Sequence, residues 1–314
     1  MPKLKKILLF ANGTSGTNSA ANDLFEMIRL LSKQHCIVTA YPIIPSQGLV
    51  CEDVLDKLQD HYDVIACCGG DGTLNHVVSQ ILKDHIHVPI GYIPTGSTND
   101  FSRSINNGKT LTLEEQCNAI AYGTPFSYDV GKINDEFFNY IAAFGAFTRI
   151  SYDTSQKWKN LLGYAAYALN ALASIPEGLS YHSHVTYEHD GISEEGDFIF
   201  GAVANTNSIA GVQSPLVQNA KLDDGQFEVI LIKQPNNILD INRILSKLTS
   251  GNTDDNYVTV FKTDHIIFRF ESETAWTLDG EKGMPGNCAD IQCLNKAAAI
   301  LTSSDTNQDK QSVQ

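Results

Sequence analysis

The sequence of 314 residues lacks an apolar run long enough to span a membrane. Its start also lacks the apolar core of a signal peptide, so we predict a cytoplasmic protein. The seven cysteines show no paired spacing typical of zinc sites, and Cys67 and Cys68 lie within an apolar run where small core residues are expected. A disulfide framework is therefore not expected either.

Positive charge is also scarce. The chain has 22 lysines and arginines against 36 aspartates and glutamates, which gives a net charge of −14. This balance argues against nucleic acid as a partner, because binding to phosphate backbones depends on basic side chains. It also argues against broad adhesion to anionic lipid. A small basic cluster, Lys3, Lys5 and Lys6, is interpreted as a solvated flank of the first strand.

A glycine-rich turn is the most informative feature that the sequence does contain. The apolar run Val64–Cys68 predicts a buried strand, and Gly69–Thr73 predicts the turn after it. The spacing of the next apolar residues predicts a helix with one apolar face. A buried strand that leads through glycines into a helix is typical of a phosphate-binding loop.

The residue types in this turn suit a polyphosphate. Three glycines allow the backbone to approach a ligand closely and to adopt angles closed to other residues: Gly69, Gly70 and Gly72. The first amides of the helix would face negative charge. Asp71 would repel a bare phosphate, so a mediating cation such as Mg2+ is expected, and Thr73 adds a hydroxyl. The alternative is an ordinary turn in which Asp71 caps the helix.

A second loop follows the next predicted strand, Val88–Ile93. In Pro94–Arg103, small hydroxyl residues, an amide, a carboxylate and a basic residue follow one glycine. Because open parallel sheets bind ligands at the carboxyl ends of neighbouring strands, this loop could close over a nucleotide. A turn with a capped helix start is the alternative.

Two domains are predicted from the change in pattern along the chain. Strands and helices alternate through residues 1–126, which predicts an α/β nucleotide-binding domain with a three-layer parallel sheet, and residues 297–304 could complete it. Residues 127–296 predict an antiparallel β-sandwich because strand patterns recur there without alternating helices. A helix or helix pair is expected at Trp158–Ile175, either as an ordinary buried helix, as the wall of an apolar pocket or as a dimer contact. Residues 305–314 are expected to be a disordered tail.

The strands predicted in the second domain are Tyr128–Ile133, Phe137–Ala143, His184–Glu188, Phe198–Ala204, Phe227–Ile232, Tyr257–Phe261, Ile266–Phe270 and Ala275–Leu278.

Five motifs together resemble one enzyme family: Gly69–Thr73, Pro94–Arg103, Asn207–Gly211, Ala220–Gly225 and Leu278–Glu281. They resemble the catalytic domain of the diacylglycerol and sphingosine kinase superfamily and, more narrowly, the soluble bacterial lipid kinases of the DgkB and YegS type. The resemblance extends over nearly the whole chain in the right order. NAD kinases share the first motif but are not known for the second in this form. The fold implied is that of the NAD kinases and diacylglycerol kinases.

The resemblance implies an activity, a cofactor and partners. It implies an ATP- and Mg2+-dependent lipid kinase that converts the hydroxyl of diacylglycerol to phosphatidic acid in phospholipid recycling. A homodimer and transient contact with the inner face of the membrane are implied as well. The alternatives are a catalytically weak or silent nucleotide- or lipid-binding regulator, or a kinase for another lipid such as sphingosine or undecaprenol. An NAD kinase is disfavoured by Ser97–Asp100.

The resemblance also assigns roles to acidic residues. Asp279 is the implied acceptor of the proton of the attacking hydroxyl, with Glu281 supporting the metal or water network. Asp71 would hold water or Mg2+ against the phosphates, and Asp129 resembles a further member of that network. Without the other motifs, Asp279 would be interpreted as a hairpin-turn residue and Asp129 as a solvated residue that starts a strand.

The residues that the resemblance places around the nucleotide are Asn12, Thr14, Ser15, Gly16, Gly69, Gly70, Gly72, Thr73, Thr95, Gly96, Ser97, Thr98, Asn99 and Arg103. A structural Mg2+ is implied in a separate loop, bound by the Asp224 side chain and by the carbonyls of Lys221 and Gln226. Adjacent carboxylates and free carbonyls at a turn suit such a hard cation. A turn without metal is the alternative.

The sequence departs from the family pattern at four positions. Gly13 stands where the family has a proline in the first loop, and Thr17 stands where a lysine commonly follows that loop. His76 stands where the family has a glutamate. Asn170 aligns where a lysine is frequent. The loss of two lysines favours the silent-regulator alternative, whereas the intact Asp71 and Asp279 favour the kinase.

Overall fold

A computed structural model describes residues 4–13, 19–55, 57, 61–96, 99–106, 108–145, 182–206, 208–209, 212–213, 215–217, 220–251 and 256–303. The chain divides into two compact units. The first consists of Met1–Tyr128 with Lys296–Gln314, and the second consists of Asp129–Asn295. Each unit is described separately below.

The first unit alternates strands with helices. Its strands are β1 Lys5–Asn12, β2 Cys36–Ile43, β3 Val64–Gly69 and β4 Ile90–Pro94. Its helices are α1 Ser19–Lys33, α2 Cys51–Leu55, α3 Asp71–Lys83, α4 Asp100–Ile105 and α5 Leu113–Tyr122, with a 3-10 turn at Pro45–Gln47. A capping box of Thr112 and Glu115 begins α5.

The strands of the first unit form a parallel sheet in the order β4-β3-β1-β2. Alternate residues of β1, such as Ile7 and Leu9, face a core that includes Met27 of α1 and Ile120 of α5. Phe10, on the other face of β1, is fully buried as well, so the strand is covered on both faces. Near the end of the chain, Ile300 pairs in parallel with Ile90 of β4.

The second unit is built of strands and one described helix. Its strands are β6 Glu136–Phe138, β7 Ile141–Gly145, β8 Ser183–His189, β9 Ile192–Ala204, β10 Ser208–Ile209, β11 Val212–Gln213, β12 Phe227–Lys233, β13 Val258–Thr263, β14 His265–Thr274, β15 Trp276–Leu278 and β16 Glu281–Lys282. Two strands carry the chain from one unit to the other, β5 Thr124–Ile133 and β17 Gly286–Thr302. The helix is α6 Ile238–Ser250, and a 3-10 turn lies at Pro215–Val217.

The pairings in the second unit are antiparallel. Strand β9 pairs with β7, β8 and β12, and β14 pairs with β8 and β17. One apolar core collects alternate residues of these strands, and its rings lie at contact distance, as in the edge-to-face pair Phe144 and Phe270, whose centroids are 4.9 Å apart. The predicted fold class, a parallel α/β part followed by an antiparallel β part, is confirmed.

Three elements differ from the sequence prediction. The strand expected at Phe137–Ala143 is two strands, β6 and β7, with Asn139 and Tyr140 between them. The helix α6 was not predicted, although Asn237 caps its start and Gly251, at φ 70°, ends it. The 17 residues of β17 were not predicted as a strand because polar residues and alanines dominate them.

Some predictions fall outside the described residues. These are the helix at Trp158–Ile175 with Asn170, the residues Thr14, Ser15, Gly16, Thr17, Ser97 and Thr98, and the tail 305–314. Within the described ranges, no helix is long and apolar enough to cross a membrane.

Candidate functional site

The turn after β3 places free backbone amides at the start of α3. Gly70 is the N-cap residue in an extended conformation, at φ −83° and ψ −177°, and no side chain caps the helix. Among the described residues, no hydrogen bond engages the N–H of Gly70 or Gly72. Two amides and the positive end of the helix dipole thus converge where an anion would bind.

The glycines of this turn serve close packing rather than unusual backbone angles. None of Gly69, Gly70, Gly72 and Gly96 has a positive φ, so the predicted need for special angles is wrong. A Cβ on Gly96 would lie 2.8 Å from Gly70 Cα, and a Cβ on Gly69 would lie 2.4 Å from Thr73 Oγ1. The two predicted loops therefore touch through their backbones.

Asp71 connects the two loops. Its Oδ2 accepts the N–H of Asp100 at 3.0 Å, and its Oδ1 accepts the hydroxyl of Tyr92 at 3.3 Å. Asp71 is the first residue of α3 and does not cap that helix, so the alternative of a capping residue is wrong. Its carboxylate instead lies at the N-terminus of α4. Both partners are hydrogen-bond donors.

Burial decides the ionisation of Asp71, which is 8% exposed. Desolvation raises the pKa of its carboxyl to about 6, although the bonds from Asp100, Tyr92 and the Phe101 backbone, and the charge of Arg103, act in the opposite direction. Asp71 is therefore a titratable group close to neutral pH.

Asn12 and Thr73, both predicted nucleotide contacts, bond to each other. Asn12 Nδ2 donates to Thr73 Oγ1 at 2.8 Å, and both residues are buried. This bond fastens the end of β1 to the first turn of α3. The pair positions the loop that carries the free amides.

The second loop keeps one acceptor unused. Asn99 has a left-handed backbone at φ 52° and donates from Nδ2 to the Gly96 carbonyl at 2.9 Å. Its Oδ1 is buried without a hydrogen-bond partner in the part of the chain that the structure describes. The Thr95 N–H donates to the Gly69 carbonyl at 2.9 Å and joins the loops again. Arg103, in α4, is half-buried.

In the second unit, Asp279 lies at a two-residue hairpin turn between β15 and β16. Asp279 has φ 50° and Gly280 has φ 87°, so the Asp-Gly pair forms the left-handed turn that suits a hairpin. The side chain is nevertheless held by the segment between β6 and β7. Asp279 is 4% exposed. It is thus both a turn residue and a buried carboxylate.

The Asp279 carboxylate accepts four hydrogen bonds. Oδ2 accepts from the Asn139 N–H at 2.6 Å and from Asn139 Nδ2 at 3.2 Å. Oδ1 accepts from the N–H groups of Tyr140 at 3.0 Å and Ile141 at 3.1 Å. A carboxylate offers about four lone-pair positions, so these four donors occupy the acceptor capacity of Asp279. Glu281, on the same hairpin, is exposed.

Asp129 is not the solvated residue of the alternative interpretation, because it is 0% exposed. Its Oδ2 accepts the Gly225 N–H at 2.6 Å, and its own N–H donates to the Leu222 carbonyl at 2.7 Å. Asn205 Nδ2 donates to the Asp129 carbonyl at 2.6 Å. Asp129 therefore supports the loop that was predicted to hold a structural Mg2+.

That loop contains a basic side chain where a cation was implied. Lys262 Nζ lies 2.9 Å from Asp224 Oδ2, and Asp224 Oδ1 accepts the Gln226 N–H at 3.2 Å. In the described ranges, no group of three or more His, Cys, Asp or Glu side chains could hold a metal ion. Because an ammonium already occupies the only side-chain ligand, the residues do not fit the implied Mg2+ between Asp224 and the carbonyls of Lys221 and Gln226.

Sequence reasoning missed the partners of the acidic residues. No local sequence motif marks these partners, which are the amides of Asn139–Ile141, the side chain of Asn205 and the ammonium of Lys262. The Asn205 N–H also donates to the Tyr140 carbonyl at 2.8 Å, which links the segment around Asp279 to Asp129. The one available signal was the polar pair Asn139 and Tyr140 inside an otherwise apolar strand pattern.

Comparisons with known proteins show what the chain is similar to. A family model described as the diacylglycerol kinase catalytic domain matches residues 6–133, which include both loops of the first unit. The predicted resemblance to the diacylglycerol kinase family is confirmed, and the similarity to curated relatives extends through the second unit. Over 291 residues, the chain is 28% identical to a diacylglycerol kinase of Staphylococcus saprophyticus, covering 92% of this chain and 93% of that one.

A diacylglycerol kinase of Staphylococcus aureus is 29% identical over 291 residues, covering 92% of this chain and 90% of that one. Among solved structures, a diacylglycerol kinase from Bacillus anthracis shares the fold of this kinase with a TM-score of 0.74 at 22% identity, covering 97% of this chain and 99% of that one. An NAD kinase from Archaeoglobus fulgidus in complex with ATP has a TM-score of 0.52 at 12% identity, covering 98% and 97%. The fold is thus that of both kinase groups.

Proposed function

We propose that the chain transfers the γ-phosphoryl group of MgATP to the free hydroxyl of diacylglycerol and forms phosphatidic acid. The observation that carries this proposal is the Asp279 carboxylate, fixed by three consecutive backbone amides in a chain with a kinase catalytic domain. Phosphoryl transfer depends mainly on positioning and charge stabilisation, and a rigidly held carboxylate can orient a hydroxyl.

The first unit supplies the phosphate-binding side of the reaction. The free amides of Gly70 and Gly72 would donate to phosphate oxygens, and the α3 dipole would favour their charge. Asn99 Oδ1, buried without a partner among the described residues, would accept a donor of the nucleotide. Asp71 holds the two loops together through the Asp100 N–H, and the Mg2+ of MgATP would supply the charge that neutralises the phosphates between them.

The proposed proton acceptor, Asp279, lies in the second unit. A substrate hydroxyl can reach Asp279 only by replacing one of its four donors. The Asn139 Nδ2 contact at 3.2 Å is the longest of them and the only one from a side chain, so it is the one that can yield without movement of the backbone. Because the transition state of phosphoryl transfer is loose, the main task of this carboxylate would be to position the hydroxyl.

Diacylglycerol is proposed as the substrate because the relatives that carry this name extend along 92% of the chain, including the β-rich unit. A cytoplasmic enzyme that contacts the inner face of the membrane transiently, acts as a homodimer and serves phospholipid recycling fits that substrate. These properties belong to the same proposal. Glu281 and Asp129 remain proposed members of the site, Glu281 beside Asp279 on the hairpin and Asp129 through its bond to the Gly225 loop.

A silent nucleotide- or lipid-binding regulator is the second candidate. The observation that favours it is the complete occupation of the Asp279 lone pairs, which leaves no acceptor for a substrate proton in this structure. A kinase for another lipid differs from the first proposal only in its acceptor.

The deciding experiment measures phosphate transfer from labelled ATP in mixed micelles with Mg2+. Diacylglycerol, sphingosine, undecaprenol and NAD are offered separately to the parent chain, to Asp279→Asn and to Lys282→Gln, an exposed neighbour on the same hairpin. We expect labelled phosphatidic acid from the parent and from Lys282→Gln, and none from Asp279→Asn. ATP binding without transfer to any acceptor would establish the regulator; transfer to another acceptor would change the substrate.

A further inference from the structure

A lysine bridges two carboxylates at the loop where the family resemblance implied a metal. Lys262 Nζ lies 2.9 Å from Asp224 Oδ2 and 3.0 Å from Glu228 Oε1. The strand register places this bridge, because Lys262 of β13 pairs directly with Glu228 of β12. Opposite charges at directly paired positions of an antiparallel sheet attract each other.

Glu228 makes the bridge a buried one. Its side chain is 5% exposed, and its Oε2 has no hydrogen-bond partner within the described ranges. Burial raises the pKa of the Glu228 carboxyl, and Lys262 opposes that shift. For Lys262 itself, burial lowers the pKa of the ammonium, but the bonds to Asp224 and Glu228 outweigh burial and leave it raised. Each of the two side chains thus stabilises the charged form of the other.

The bridge is connected to the rest of the site. Asp224 Oδ1 accepts the Gln226 N–H. Gly225, which lies between these two residues, donates its N–H to the buried Asp129. The loop from Lys221 to Gln226 is therefore held by the Lys262 ammonium and by the carboxylates of Asp224 and Asp129. A divalent cation at Asp224 would meet a positive charge at 2.9 Å from the same carboxylate oxygen.

We propose that the Lys262 ammonium is the built-in cation of this loop and takes the place of a divalent metal. Removal of the ammonium exposes a site for Mg2+ or Mn2+ that consists of Asp224, the partnerless oxygen of Glu228 and nearby carbonyls. Hard divalent cations prefer such oxygen ligands. The chain therefore needs Mg2+ only with its nucleotide and not for the order of its second unit.

The test measures melting temperature without nucleotide, in EDTA and in millimolar Mg2+ or Mn2+, together with Mn2+ binding followed by electron paramagnetic resonance. Its readouts do not depend on turnover, so failure of the kinase proposal would leave them unchanged. The variants are Lys262→Met, the double variant Lys262→Met with Asp224→Asn, and Lys233→Met. Lys233 is exposed on β12, the strand that carries Glu228.

We expect the parent and Lys233→Met to melt at the same temperature in EDTA and in Mg2+. Lys262→Met should melt several degrees lower in EDTA, recover by about 3 °C or more in Mg2+ or Mn2+, and bind one additional Mn2+. The double variant should not recover. The proposal is overturned if Lys262→Met gains no cation-dependent stability.

A second result would overturn it on the parent protein alone, even if Lys262→Met does not fold. That result is nucleotide-independent stabilisation of the parent by Mg2+ that disappears in Asp224→Asn. It would mean that a divalent ion binds the loop although Lys262 is present.

Discussion

The Asp71 carboxylate accepts the backbone N–H of Asp100 at 3.0 Å, so the first residue of α3 satisfies the start of α4. Both helices begin after neighbouring parallel strands, β3 and β4. A single buried carboxylate therefore fixes the distance between the two loops that are proposed to enclose the phosphates. Protonation or replacement of this carboxylate should therefore change the free energy of unfolding.

We expect Asp71→Asn to stabilise the fold at alkaline pH while it lowers turnover. The folded pKa of Asp71 is raised from 3.8 to about 6, so folding binds a proton between these values. The Asp71 contribution to stability is greatest below pH 3.8 and is lost as the pH rises through about 6. Asparagine keeps an acceptor for Asp100 without this loss.

Urea unfolding at pH 5 and pH 8 checks this expectation. The difference in unfolding free energy between Asp71→Asn and the parent should move by about 1 kcal/mol in favour of the variant from pH 5 to pH 8. A difference that stays constant would show that the Asp71 carboxylate is ionised in both states throughout this range. Lys83→Gln, at the other end of α3, is the control.

Gly96 and Gly70 offer a matched pair of substitutions in the two loops. A Cβ at Gly96 would lie 2.8 Å from Gly70 Cα, whereas a Cβ at Gly70 would lie 3.5 Å from Gly96 Cα, an ordinary contact. Gly96→Ala should therefore cost about 1–3 kcal/mol of stability, as overpacking does. Gly70→Ala should leave stability nearly unchanged but raise the KM for ATP, because its methyl would lie beside the free amides.

Thermal unfolding and ATP kinetics of the two variants separate packing from binding. Equal losses of stability would contradict the close approach of the loops. An unchanged KM for ATP in Gly70→Ala would contradict phosphate binding at the start of α3.

The parallel α/β part was predictable from sequence because its signals are local. Apolar runs of strand length, glycines at the strand ends and the apolar stripe of α3 all lie within short windows. The helix α6 was also readable in principle, since Ile241, Ile244 and Leu248 recur at helical spacing and are buried, and it was missed only because the surrounding pattern is of strands. Strand β17 has no such signal, because its burial depends on its neighbours.

The positions of the acidic residues were predictable, but their partners were not. Asp279 binds amides 138 to 140 residues earlier in the chain, and Asp224 binds Lys262 over a separation of 38 residues. No local pattern encodes which backbone amides will face a carboxylate across such separations. A motif can therefore predict that an acidic residue matters without predicting whether it faces a metal, an amide or an ammonium.

The bond between Asn12 and Thr73 should behave as a buried structural contact. Thr73→Val removes the acceptor of this buried hydrogen bond, so we expect a loss of about 1–3 kcal/mol in unfolding free energy. Thr73→Ser keeps the hydroxyl and should lose less. Urea unfolding of Asn12→Ala, Thr73→Val and the double variant measures the coupling; strictly additive losses would contradict the bond.

Asp279→Asn should lose stability as well as turnover. An asparagine presents an NH2 group to donors that the carboxylate now accepts, from Asn139, Tyr140 and Ile141. Because at least one buried N–H then faces another donor, we expect a loss of about 1–3 kcal/mol in unfolding free energy, against less than about 0.5 kcal/mol for Lys282→Gln. Urea unfolding of both variants without ligand measures it. An inactive Asp279→Asn variant as stable as the parent would mean that the carboxylate acts on the substrate without supporting the fold, and that its amide contacts give way easily enough to free it as a base.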